Sequence, residues 1–525
     1  MVITDLPVET LEHIVAALDL PTDLRNLAAV CTQLRSIVEP YHTQFRVIRA
    51  PIISPLWKKF AENQLLAQNV RILEVQSAES HGYHEDAKVD DQVIPAIFGD
   101  LEVPSIPELD DDDDDNVEAL MAYDAAKNDM DLDSERILVS ALKGMSNLTS
   151  FQWTRTPPLI NRIREDDIWI TLAKYCPSLN VIDVVDREKP YEPVLQDTDD
   201  PAYQRPSFNP NFYLFKDLKS FSFRTEAFNV GNFTRPDVER CGTMLIERCP
   251  NLEVLKLQYI LYANPNTNTV SVSPLLSGAP WNSLRELTLS GFNFVSTKLS
   301  SHLASHPTIE VLSLTGMLAQ SLVLPPDTLP RLKHLSTTLG SMVTNSILDS
   351  TIVTPRPLEC IMGPLLNDVF LDSLEQCGSG HNLKKLVTSS THNPSRYFGR
   401  LIRRLSVIAP NLEWLGIKVS GQIDHTLYPV FGRFPHLRTI QGVKFISSTC
   451  EPASENTEVI RTLATVCPDL RRIDGYMGTQ LDGNLTVIIE RNGSHGTWSL
   501  RRIVRGIEGS VFMRWGERGH GSFEL

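Results

Sequence analysis

Few residues of this 525-residue chain are of a type that could do covalent or metal chemistry, and their spacing does not favour it. The eight cysteines are scattered at 31, 176, 241, 249, 360, 377, 450 and 467, with no close Cys-x-x-Cys pair. A reactive thiolate needs a neighbouring base or cation, and a zinc site needs clustered ligands; neither travels with these thiols. His81-Gly82-Tyr83-His84-Glu85 lacks the His-Glu-x-x-His spacing of a zinc helix and reads as a loop. Asp110 to Asp115 are six consecutive aspartates, without the spaced Asp/Asn-Gly-Glu pattern of a calcium loop. The sequence holds no Gly-x-Ser-x-Gly, phosphate loop or dinucleotide fingerprint. An active site, a cofactor and a metal are therefore not expected. What remains is recognition: Trp414, Lys418, Arg472 and Tyr476 gather aromatic and cationic side chains, the usual anchors of protein interfaces, near one end of the chain. Packing of Trp414 under a loop is the alternative.

Composition sets the frame for positioning them. The chain is 42% hydrophobic and 22% charged, as an ordinary soluble protein is, and too long for one simple core. Its net charge is −15, but residues 85–135 alone hold 19 Asp/Glu against 2 Lys, a local charge of −17 that leaves the rest at +2. That balance argues against nucleic acid or an anionic membrane as a general partner. The start, Met1-Val2-Ile3-Thr4-Asp5, lacks the basic stretch of a secretory signal. Scattered cysteines fit a reducing compartment, so a cytoplasmic or nuclear location is expected.

The first fifty residues read as three short helices. Leu11, Ile14, Val15 and Leu18 make one apolar stripe, and Pro7 suits the first turn. Pro21 and Thr22 interrupt, with Thr22 as the expected cap of a second helix carrying Leu24, Leu27, Ala28 and Cys31. Leu34, Ile37 and Val38 mark a third, stopped by Pro40. Helices this short are not expected to support a core of their own, so their apolar face must meet the rest of the chain or another protein.

The residue order is more specific than this periodicity. Leu6-Pro7-x-Glu9-x-Leu11-x-x-Ile14-x-x-x-Leu18, followed by Asp23-Leu24-x-x-Leu27-x-x-Val30-Cys31-x-x-Leu34-Arg35 and Pro40, resembles an F-box over residues 4–48. It departs from the pattern in lacking an aromatic after Val30-Cys31. The resemblance implies docking on the Skp adaptor of a cullin-type ubiquitin ligase. Leu6, Pro7, Leu11, Ile14, Leu18, Leu24 and Leu27 would include the adaptor-facing positions. An apolar helix face meeting helices of a partner is a recurrent mode of recognition.

From residue 140 a second pattern recurs: an amphipathic stretch, then Pro-x-Leu-x-x-apolar-x-apolar. Cys176-Pro177-Ser178-Leu179, Cys249-Pro250-Asn251-Leu252 and His306-Pro307-Thr308-Ile309 open the clearest copies, and Pro410, Pro435 and Pro468 begin three more. Looser copies centre on Leu148, Leu218, Leu284, Leu332, Leu383 and Leu500, and residues 70–75 look like a first strand. Alternation puts three apolar residues inside each short strand, and the proline ends the helix ahead of it. One row of alternate positions would be Gln152, Asp183, Ser222, Lys256, Thr288, Ser313, Ser336, Gly416, Gln441 and Asp474.

The series resembles irregular leucine-rich repeats, roughly twelve units over residues 134–505. That implies an α/β fold: a curved solenoid with a parallel sheet on the concave side and helices on the convex side. Fungal F-box proteins often pair these two patterns. The expected organisation is an F-box at 1–50, a linker helix and first strand at 51–79, an acidic disordered insertion at 80–133, the repeats at 134–505, and a cap or tail at 506–525. The insertion reads as a spacer, a contact for a basic partner or an arm over the repeats. Together the resemblances imply a non-catalytic substrate receptor that holds the adaptor, and through it cullin, at one end and a protein client on the repeats. A repeat scaffold that retains an F-box without assembling a ligase is the alternative.

Overall fold

The structure, a computed structural model, describes residues 3–18, 21–39, 41–76, 117–155, 167–186, 210–225, 238–259, 270–318, 322–337, 341–349, 355–391, 396–419, 428–441, 454–474, 484–492 and 497–505. These fall into two compact units. The first opens with four short helices, α1 (Val8–Ala16), α2 (Pro21–Val30), α3 (Thr32–Val38) and α4 (Tyr41–Phe45). It continues through β1 (Val47–Pro51), α5 (Leu56–Glu62), α6 (Gln64–Ala67), β2 (Ile72–Gln76), α7 (Val117–Leu142), β3 (Ser150–Thr154), α8 (Ile168–Tyr175), β4 (Val181–Asp186), β5 (Ser220–Thr225), α9 (Val238–Arg248) and β6 (Val254–Tyr259). Strands β1 to β6 pair in sequence order, all parallel.

The second unit contains β7 (Val270–Ser271), α10 (Ser273–Gly278), β8 (Glu286–Phe294), α11 (Ser296–Ser305), β9 (Val311–Leu318), β10 (His334–Thr337), α12 (Ser341–Asp349) and β11 (Cys360–Met362). Then come α13 (Asp368–Gln376), β12 (Lys385–Thr391), α14 (Arg396–Ile408), β13 (Trp414–Val419), α15 (Tyr428–Phe431), β14 (Thr439–Gln441), α16 (Ser454–Val466) and β15 (Arg472–Asp474). The last two strands are β16 (Asn484–Asn492) and β17 (Thr497–Arg505). β7 to β15 pair parallel in order, and β16 and β17 add an antiparallel hairpin at the end. Each unit is thus an open sheet fed mainly by helix–strand connections.

The Pro-x-Leu idiom is a turn. The amide of Leu179 donates to the Cys176 carbonyl at 3.1 Å, Ile309 to His306 at 3.3 Å, Leu437 to Phe434 at 3.3 Å and Leu470 to Cys467 at 3.1 Å. The acceptor stands just before proline, where helix is disfavoured. The apolar residue at this position is buried: Leu148, Leu218, Leu252, Leu284, Ile309, Leu332, Leu383, Leu412, Leu437 and Leu470 have no exposed surface, and Leu148, Leu332 and Leu383 close the same turn. Burial of such a side chain is worth about 1.5–3 kcal/mol. Cys176, Cys249 and Cys467 are buried in the same position, and burial pushes the first two thiols up to about 12 and about 11, away from reactivity.

Strand alternation then separates two rows. Phe151, Ile182, Phe221 and Leu255 are buried, and Phe151 meets Trp169 of α8 edge to face at 6.1 Å. The next positions hold the expected polar row: Gln152, Asp183, Ser222 and Lys256 are cross-strand neighbours in the first unit, as are Thr288, Ser313 and Ser336 in the second. Met362 and Val387 continue that row to Gly416, Gln441 and Asp474. The sequence pattern had left those two out.

One residue before β8 to β14 runs an alternation of charge, Arg285, Glu310, Lys333, Glu359, Lys384, Glu413, Arg438, which Arg471 ahead of β15 ends by repeating the positive sign. Each amide from Glu310 onward donates to the carbonyl of the residue before it in this series, at 2.7–2.9 Å. The side chains pair as Lys333–Glu310 at 2.7 Å, Lys384–Glu359 at 3.2 Å and Arg438–Glu413 at 2.9 Å. Lys333 holds the Glu310 carboxyl below its ordinary range, chiefly by its hydrogen bond.

Several expectations need correction. α2 begins at Pro21, so Thr22 lies inside the helix and is not its cap; Cys31, placed on the second helix, instead caps α3, its Sγ accepting from the Leu34 amide at 3.4 Å. The N-terminal helices do form a core of their own from Leu11, Val15, Leu24, Ala28, Leu34, Ile37 and Val38. The sheet begins at β1, ahead of the strand at 70–75. Residues 117–133, expected within a disordered insertion, belong to α7. Acidic side chains there are neutralised locally: Arg155 pairs with Asp131 at 2.7 Å and with Glu135 at 3.8 Å, and stacks over Trp153. Residues 80–116 and 506–525 lie outside the described residues. Leu500 falls in β17, whose antiparallel pairing is not that of a repeat.

Lys384→Glu sets a carboxylate between Glu359 and Glu413. It should lower the urea midpoint by an amount equivalent to about 1 kcal/mol at low salt, and much less at high salt. An equal loss at both salt concentrations would show that the alternation is not an electrostatic device.

Candidate interaction surfaces

The N-terminal helices place the seven expected residues in three environments. Leu11 and Leu24 have no exposed surface and build the helical core, so they offer nothing to a partner. Leu6, Ile14, Leu18 and Leu27 are half-buried, with Leu6, Leu18 and Leu27 packed on that core, and Pro7 is exposed. The apolar surface is carried instead by side chains the periodicity did not select: Ile3 at 40% exposure, Val8 at 50% and Val30 at 65%. An i, i+3, i+4 rule finds the buried stripe, and these three lie off it. Exposed large apolar side chains together mark interaction sites more reliably than buried ones.

Arg46 ties the helices to the sheet. Its guanidinium is buried and donates to the Val15 carbonyl at 2.8 Å, while its own carbonyl accepts from the amides of Arg71 and Ile72, just ahead of β2. His42, one helical turn back, has Nδ1 at 3.5 Å from the same guanidinium. Burial, and then the charges of Arg46 and Arg71, push the His42 imidazole down to about 4.

A second surface lies in the second unit. The register aligns Lys385, Trp414, Thr439 and Arg472 across β12 to β15. Lys385 Nζ sits 4.9 Å from the Trp414 ring centre and Arg472 Cζ 5.9 Å from it, so two cations share one indole. The indole N–H donates to Gln441 Oε1 at 3.3 Å. Burial holds the Lys385 ammonium below the ordinary lysine range, partly offset by Cys360. Of the four residues expected here, Trp414 and Arg472 are brought together. Lys418 lies on β13, but its side chain is outside the described residues, as is all of Tyr476. Lys385 was missed; the copy centred on Leu383 would have found it, because Lys385 stands two places after Leu383 as Trp414 stands two after Leu412.

Comparison with known proteins bears on the first surface. Residues 3–45 match the F-box-like family model. The N-terminal region is F-box-like. No curated protein matches the chain. Among solved structures, the crystal structure of the Rad7 and Elc1 complex in yeast is similar at a TM-score of 0.39 and 12% identity, over 85% of this chain and 91% of that one, a likeness too weak to bear on function.

His42 binds its proton at about pH 6.5 when unfolded and only near pH 4 when folded, so acidification through that window favours the unfolded state. Stability should fall by up to about 1 kcal/mol per pH unit from this group. His302, pushed down to about 3 by burial, adds its own slope. Urea midpoints measured between pH 7 and pH 4 should therefore decline less steeply in His42→Gln than in the native chain.

Proposed function

We propose that this chain is the substrate-recognition subunit of a Skp–cullin–F-box ubiquitin ligase. The F-box-like match over residues 3–45, with Pro7, Val8 and Val30 exposed on those helices, is the observation that carries the reading. In this reading the helix–strand units are irregular leucine-rich repeats of the fungal type, stacked as a solenoid. They hold a protein client through the face that bears Trp414 and Arg472. The chain does no chemistry. It raises the effective concentration of a client lysine near the charged ubiquitin carrier, and the complex works in the cytoplasm or nucleus.

The four short helices support this division of labour. Their own core of seven apolar residues keeps them folded without the partner. Apolar side chains left outside are then available for a helical groove on the adaptor.

Capture of the Skp adaptor by the full-length chain should fall at least tenfold in Val30→Asp, which puts a charge into the contact without touching the helical core, and in Leu6→Ala/Pro7→Ala. Undiminished capture by Val30→Asp and by the double variant would remove the docking claim. Stable adaptor binding without recruitment of cullin would favour a scaffold that assembles no ligase.

A further inference from the structure

The second surface is specific enough to carry a statement about its ligand. The row that runs Lys385, Trp414, Thr439, Arg472 continues in register to Ile488 on one side and to Cys360, His334, Val311 and Glu286 on the other. From Lys385 to Arg472 it holds two cations and no carboxylate, in a chain whose net charge is −15. Asp474 lies two residues beyond Arg472 on β15, and Glu359 and Glu413 at the strand entries pair with Lys384 and Arg438.

Both cations are already ordered. Lys385 and Arg472 both lie within 6 Å of the Trp414 ring centre, and Gln441 fixes the ring through its N–H. Stacking on an indole removes water and rotamer freedom from the long side chains before any ligand arrives, which lowers the cost of binding an anion there. One arginine beside one lysine is not the paired guanidinium arrangement that grips phosphate from two sides, whereas each can meet a single carboxylate. Four strands set about 4.8 Å apart give a row about 14 Å long from Lys385 to Arg472, the reach of roughly four extended residues.

We propose that this row binds an extended acidic segment of a client protein, with its Asp or Glu carboxylates on Lys385 and Arg472 at either side of the indole. The proposal rests on the receptor reading above and names the class of client it selects. The carboxylates pair with cations held at the ring, and the segment's backbone and aliphatic carbons cover the indole. Affinity is then salt-dependent, because both anchoring contacts are between charges.

The test is fluorescence anisotropy on the full-length chain, with a labelled eight-residue peptide of alternating Glu and Ser. Its Gln-for-Glu counterpart and a peptide carrying phosphoserine with no Glu are run beside it. The Glu peptide should bind at least tenfold more tightly than the Gln peptide and lose at least tenfold in affinity between 50 and 300 mM salt. Arg472→Gln and Lys385→Gln should each weaken it about fivefold or more, Trp414→Leu likewise, and Lys256→Gln, in the other unit, should leave it unchanged. Equal binding of the Glu and Gln peptides, binding of the phosphopeptide alone, or native affinity in both Arg472→Gln and Lys385→Gln would overturn the proposal. Adaptor capture is measured on the same samples. Retained capture with lost peptide discrimination defeats the acidic-segment proposal and spares the ligase reading; lost capture with retained discrimination does the reverse.

Discussion

One contact recurs ahead of seven strands, β3, β4, β9, β10, β12, β14 and β15: a leucine or isoleucine closes a turn onto a carbonyl three residues back and is buried as it does so. This sets where each helix stops and at which residue each strand begins. A strand displaced by one residue would turn its buried side chains outward, so the closing residue also fixes the register of the sheet. The polar row and the paired charges at the strand entries both follow from that register. Neither could persist if one turn in the series closed at a different residue.

The N-terminal helices obey a different rule. Their core is small, seven side chains from three helices, and Arg46 anchors it through the carbonyl at the end of α1 and the amides that open β2. The buried Arg46 guanidinium, donating to the Val15 carbonyl, gives a defined geometry at the cost of placing a charge beside His42. The same helices leave Val8 and Val30 in solvent. The arrangement separates the side chains that fold the region from those free to meet another protein, and both types are apolar.

That separation explains what the sequence could and could not disclose. Periodicity located α8, α14 and α16 and the polar row, because both depend on local spacing. It found Leu11 and Leu24, which the F-box resemblance counted among the adaptor-facing positions, because spacing identifies an apolar stripe without saying what covers it. The acidic stretch misled where α7 begins: its composition reads as disordered, yet Asp131 and Glu135 are compensated by Arg155, a residue on the far side of β3. Lys385 was overlooked although its copy, centred on Leu383, is among those the pattern recognises. The pairing of Trp414 with Arg472 was legible only as proximity in composition, and their sharing of one ring is a product of tertiary register.

The strict alternation of sign from Arg285 to Arg438 has a consequence for how such a chain can change length. Removing one helix–strand unit from the middle would bring two carboxylates, or two cations, to adjacent rungs; removing two would restore opposite neighbours. Duplication follows the same arithmetic. Loss or gain of an odd number of units in this stretch therefore brings like charges together, as Arg438 and Arg471 already stand at its end, while an even number keeps opposite neighbours.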